Sequence, residues 1–117
     1  MSDINTIIKV SKNFSATKGD SFGIVVLKFF TKTPTGEKIP VPLAGNVFTL
    51  KAYNNSGVEV LSFTMENGFE IQGVNELVMT KSAELMDIPE GSYPYKFKRT
   101  YSGLTKTISV GFFLIKA

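Results

Sequence analysis

Residues 85–97 read Leu-Met-Asp-Ile-Pro-Glu-Gly-Ser-Tyr-Pro-Tyr-Lys-Phe, and this stretch decides the fold. Pro89 and Gly91 punctuate the backbone: proline cannot continue a regular ladder, and glycine accepts angles that other residues resist. Directly after them Tyr93, Tyr95 and Phe97 alternate with Pro94, Lys96 and Lys98, the period-two signature of a strand with one buried face. The spacing of Leu85, Asp87, Pro89, Gly91, Tyr93 and Tyr95 is that of a tyrosine corner. There a Tyr returns its hydroxyl to upstream backbone while its ring fills one end of the core. Tyr93 is the expected corner residue. The alternative is an ordinary turn followed by an aromatic strand.

The same rhythm extends in both directions. Short apolar runs broken by Gly, Pro or Asn recur along the chain, as in a β-sandwich or barrel. Thr105 to Ile115 closes the chain, with Ile108, Val110, Phe112 and Leu114 expected on one face. Upstream, Lys81 to Met86 is long enough for a single helical turn. Val74 to Thr80, Phe69 to Gln72, Val58 to Met65 and Asn46 to Tyr53 read as strands. Asn67-Gly68 and Asn54-Asn55-Ser56-Gly57 separate them as hairpin turns, because Asn and Gly tolerate positive φ. Ser21 to Thr31 is apolar on both alternating sets and reads as a central strand covered on both faces, one of them open to covering by a neighbouring protein. Thr33 to Gly36 is a turn, and the prolines of Ile39-Pro40-Val41-Pro42 confine that segment to an edge or loop. Ile4 to Val10 is a first strand or a docking arm. The pattern predicts an all-β, immunoglobulin-like antiparallel β-sandwich of seven to eight strands over residues 14–117, with residues 1–13 as that strand or arm. Tyr95 would then stand where antibody-type domains place a Cys.

Composition removes whole classes of chemistry. The 117 residues contain no Cys and no His, so thiol nucleophiles, disulfides and the commonest general base and metal ligand are absent. Hydrophobic residues at 43% against 20% charged suit a chain that folds. Net charge is +3, unevenly placed: residues 1–57 carry +4, residues 58–90 carry −6 and residues 91–117 carry +5. That alternation suits charge-complementary docking of copies or partners, or simply a solvated surface. No long block of like charge indicates a nucleic-acid tail. The N-terminus opens on Asp3 rather than a basic residue. The longest apolar run, Ile24 to Phe30, is broken by Lys28 and falls far short of the ~20 residues that cross a bilayer. The protein is expected to be made and kept on the cytoplasmic side, or to leave a cell without secretion, and to have no membrane partner.

No phosphate-binding glycine loop or calcium-loop spacing is present. Glu66 with Glu70, and Glu84 with Asp87 and Glu90, are the carboxylates that could pair for glycoside hydrolysis. All of them lie at turns typical of solvated charge, so no catalytic residue, cofactor or metal is expected. Lys96, Lys98, Arg99 and Lys106 form the most basic patch, but alternation separates these cations from the rings of Tyr95 and Phe97. A solvated sheet face is therefore preferred to single-stranded nucleic-acid binding. A carbohydrate-binding module would have to stack sugars on Tyr53 or Tyr101. The residues expected to meet a protein partner are Ile4, Ile7, Ile8 and Val10 in the N-terminal segment, and Pro34, Ile39 and Val41 in the Thr31–Pro42 loop.

Five stretches resemble phage virion immunoglobulin-like domains, the group typified by the N-terminal-like domain of baseplate upper proteins and by head-fibre and head auxiliary modules. They are Gly19-Asp20-Ser21-Phe22 followed by Pro42-Leu43-Ala44-Gly45-Asn46-Val47-Phe48-Thr49-Leu50; Ile88-Pro89-Glu90-Gly91-Ser92-Tyr93-Pro94-Tyr95-Lys96-Phe97; and Gly103-Leu104-Thr105-Lys106-Thr107 with Gly111-Phe112-Phe113-Leu114-Ile115. The likeness runs from about Ser15 onward. It departs from the baseplate proteins in lacking a downstream coil or receptor-binding part. The resemblance implies a non-enzymatic virion structural protein, foremost a capsid auxiliary or decoration protein. Its partners would be the major capsid protein or head-fibre, neck or baseplate subunits, with self-association open. It would be made in the host bacterial cytoplasm.

Overall fold

The computed structural model describes residues 10, 11 and 13–117. The chain is all-β, and among the described residues there is no helix. Eleven strands follow one another: β1 (Val10–Ser11), β2 (Phe14–Thr17), β3 (Phe22–Lys28), β4 (Phe30–Lys32), β5 (Lys38–Pro40), β6 (Val47–Tyr53), β7 (Glu59–Phe63), β8 (Phe69–Gln72), β9 (Glu76–Lys81), β10 (Gly91–Tyr101) and β11 (Leu104–Lys116). A larger sheet has the order β1-β11-β10-β6-β7, with β2 also on β11; a smaller one has the order β3-β9-β8; β4 and β5 form a separate ribbon. The molecule measures 46 × 27 × 26 Å.

Turn chemistry sets these pairings. The Asn54 side chain accepts from the backbone N–H of Ser56 and Val58, at 2.9 and 3.0 Å, which closes the β6–β7 hairpin as the Asn-Asn-Ser-Gly signal predicts. Thr64 and Asn67 exchange backbone hydrogen bonds, and Gly68 follows at φ 113°, so Asn67-Gly68 is the expected tight turn. The segment before the corner is one hydrogen-bonded turn, Met86 N–H to Ser82 C=O at 3.2 Å, and goes no further.

Ten Phe give the core its character. Phe113 of β11 lies 5.1 Å from Phe22 of β3, 5.6 Å from Phe14 of β2 and 6.1 Å from Phe63 of β7. A second group stacks Phe69 of β8 on Phe97 of β10 at 5.4 Å, with Phe48 of β6 set edge-on. Rings of the smaller sheet thus rest on rings of the larger one, and each offset or edge-on pair adds about 0.5–1.5 kcal/mol beyond the area it buries.

Three expectations are corrected. The strands number eleven among the described residues, not seven to eight, and the larger sheet is mixed rather than antiparallel, because β1 and β2 run parallel to β11. The stretch Ser21 to Thr31 is not one central strand: it divides into β3 and β4, and β3 forms an outer edge of its sheet. On β11 the inward residues are Ile108, Phe113 and Ile115, while Phe112 points to solvent. The cause is a bulge. Phe97 pairs with Ser109 but Lys98 with Thr107, which leaves Ile108 as an extra residue and inverts the alternation beyond it.

Candidate docking surface

The outer face of β3 exposes an apolar strip along a sheet edge. Ile24 is 76% exposed, Val26 46% and, just beyond on β4, Phe30 42%. Their neighbours Val25 and Leu27 turn inward, opposite Met79 and Leu77 of β9. Register explains the split: an edge strand buries one alternating set and presents the other. Sequence reading left one face of this run to a neighbouring protein but named no interface residue on it, because a run apolar on both sets looks like a central strand. Gly23 and Lys28 carried the opposite signal. A Gly inside a strand marks a bulge, and a Lys blunts an edge. The register does shift between Phe22 and Val25.

Next to this edge projects the β4–β5 ribbon. Its tip is fixed by the Gly36 N–H to Thr33 C=O bond and by the Glu37 N–H donating to Thr33 Oγ1, at 2.9 and 3.1 Å. Its base is clamped by Val41 N–H to Phe29 C=O at 3.0 Å and by Leu43 N–H to Val74 C=O at 2.9 Å. Phe29 stacks on Phe48, and Val41 and Leu43 are fully buried. Of the loop residues expected at an interface, Pro34 is exposed at the tip and Ile39 is half-buried. Val41 must be withdrawn, because its side chain belongs to the core and offers a partner nothing. Among the N-terminal candidates, Ile4, Ile7 and Ile8 lie outside the described residues; the Val10 backbone pairs with Ser109 of β11.

The remaining polar candidates have structural occupations. Arg99 leaves the expected basic patch: it is buried, with Nε donating to Asn46 Oδ1 and its guanidinium 5.0 Å above the Tyr101 ring. Asn46 in turn donates to the Ala44 carbonyl at 3.3 Å, so the pair ties β10 to the turn before β6. One face of the Tyr101 ring is therefore taken by Arg99. Lys81 is buried too; its ammonium donates to the Asn67 carbonyl and Oδ1 at 3.0 and 3.1 Å and lies 4.8 Å above Phe63. Burial pulls its pKa down. Tyr95 shares a 2.9 Å hydrogen bond with the Ser109 hydroxyl, and burial raises its pKa while that bond works against the rise. Among the carboxylates, Asp87 makes a 3.7 Å exposed ion pair with Lys18, and no three metal-ligating side chains converge among the described residues. No described helix is long and apolar enough to cross a membrane.

The arrangement is thus a β body with an apolar edge and, continuing from it, a ribbon that carries Lys32, Glu37 and Lys38. Comparison with protein-family models and with curated proteins finds no match to this chain.

Proposed function

We propose that this chain is an immunoglobulin-like structural protein of a bacteriophage virion, without enzymatic activity, that attaches to other virion proteins as a capsid auxiliary subunit. A head-fibre, neck or baseplate position is the alternative site for the same role. Two features support the immunoglobulin-like reading. The three-stranded sheet β3-β9-β8 packs against a six-stranded sheet built on β11-β10-β6, a pairing compatible with the two layers of such a domain, with β1, β2 and β7 as additions to that three-stranded core. The Tyr93 hydroxyl also bonds to the Pro89 carbonyl, as a tyrosine corner requires.

The observation that carries the docking role is the juxtaposition of the β3 strip, Ile24 and Val26, with the solvent-facing ribbon tip at Pro34 and the half-buried Ile39. Each contact of this size is weak alone, and repetition over many equivalent positions on one particle multiplies it. The test uses particles of the encoding phage assembled without this protein. Purified protein added back should co-sediment with them to a fixed copy number per particle, and Ile24→Asp or Ile39→Asp should reduce that occupancy at least about tenfold. Native particles that contain no copy of the protein overturn the proposal.

A further inference from the structure

The larger sheet ends in β7 and the smaller in β8 and β3, and these edges are not alike. β7 carries Glu59 and β8 carries Glu70, whereas β3 has no charge from Phe22 through Leu27. Among the described residues no strand pairs with the outer side of β3. Edges that stay single are normally protected by a charge, a proline or a bulge. Here the bulge lies at the start of the strand and Lys28 at its end, where it is already engaged by Glu76 at 3.9 Å. The segment between them is a bare template for another strand.

We propose that β3 pairs antiparallel with β3 of a second copy of this chain, joining the two small sheets into one six-stranded sheet across a twofold axis. This rests on the virion-docking reading and names the first partner of that surface. Charge selects a second copy running in the opposite direction. The C-terminal end of β3 leads into the ribbon, where Lys32 and Lys38 outnumber Glu37 at its tip. Its N-terminal end follows Asp20 and lies beside the acidic crossover of Glu84 and Asp87, which is held there by Gly19 N–H to Met86 C=O and by the Lys18–Asp87 pair. An antiparallel neighbour places each basic ribbon next to the other copy's acidic crossover. A register centred on Val26 sets Val26 against its own counterpart and Ile24 against Lys28, so no like charges face each other. Such a contact is isologous and closes at two copies.

Sedimentation equilibrium of the full chain should give twice the 12.8 kDa monomer mass at high micromolar concentration, with dissociation promoted by salt. Val26→Lys should weaken the dimer at least about tenfold while leaving the melting temperature of the monomer unchanged, because Val26 is half-exposed. Lys32→Glu with Lys38→Glu should weaken it as well, and adding Glu84→Lys with Asp87→Lys should restore it. A monomer at every concentration overturns the proposal, as does a dimer indifferent to Val26→Lys. A monomer that dimerises only after residues 1–9 are deleted also overturns it, since the chain's own segment then occupies the edge. Particle binding by a protein that never dimerises would sink the dimer and leave the virion reading standing; a dimer that binds no particle would do the reverse.

Discussion

The Tyr93 hydroxyl donates a 2.5 Å hydrogen bond to the backbone carbonyl of Pro89, four residues upstream. The Tyr93 ring folds over Gly91, close enough that a β-carbon there would lie 3.5 Å from Cζ. The bond pins the crossover to the first residues of β10 and so sets where the strand richest in aromatic residues begins. Tyr93→Phe keeps the ring and deletes the bond. The site is only half-buried, so water can take up part of the loss, and the cost should be about 1 kcal/mol. Urea unfolding of the two proteins measures it; equal midpoints would show that the contact carries no stability.

Lys81 and Tyr95 give the fold an alkaline stability profile with two opposed limbs. Burial lowers the Lys81 pKa from its ordinary 10.5, so the unfolded chain holds this proton to higher pH than the folded one. Between those two pKa values the unfolded state binds more protons, and unfolding free energy rises with pH. For Tyr95 the sign reverses. Burial raises its pKa above the ordinary 10.0, so the folded state keeps the phenolic proton longer, and stability falls as pH climbs past 10. Urea midpoints taken from neutral to strongly alkaline pH should rise and then fall. Lys81→Met should flatten the rising limb and Tyr95→Phe should soften the falling one.

Gly68 and Gly57 both have positive φ, at 113° and 78°, but only Gly68 is confined. A β-carbon at Gly68 would come 2.6 Å from Phe63 Cδ2 and 3.3 Å from the Lys81 ammonium, whereas at Gly57 nothing lies within 4 Å. Gly57→Ala should cost about 1 kcal/mol through backbone strain alone. Gly68→Ala adds overpacking against a buried ring and should cost about 2–4 kcal/mol. Equal shifts in melting temperature would contradict the crowding at Gly68.

What could be read from the sequence divides along a physical line. Local rules held: Asn54, Gly57 and Asn67-Gly68 make the turns their chemistry demands, and Tyr93 makes the contact its spacing implies. Face assignment held on β10, where Tyr95 and Phe97 are buried and Lys96 and Lys98 are not, yet even there Arg99 continues the inward set and finds Asn46. It failed wherever a side chain's surroundings depend on which strands meet. Val41 looked like a loop residue and is core because the ribbon base is clamped beneath Phe29. The apolar content of Ser21 to Thr31 does not say whether a strand has neighbours on both sides, and the edge position of β3 stayed hidden for that reason.

The bulge at Ile108 is the sharpest such case, and it yields a direct test. Strict alternation from Ile108 places Phe112 inside; the extra residue in β11 places Phe113 inside instead, fully buried against Phe14, Phe22 and Phe63, and leaves Phe112 47% exposed. The two residues are adjacent and chemically identical, so composition and propensity cancel in the comparison. Phe113→Ala removes a ring that bridges both sheets and should cost about 3–5 kcal/mol. Phe112→Ala removes a ring already half in water and should stay within about 1 kcal/mol of the parent. Thermal and urea unfolding of the two variants should therefore differ widely, with Phe113→Ala the weaker protein. The reverse ranking would mean that β11 runs through without the bulge, and that Val110, Phe112 and Leu114 form its buried face.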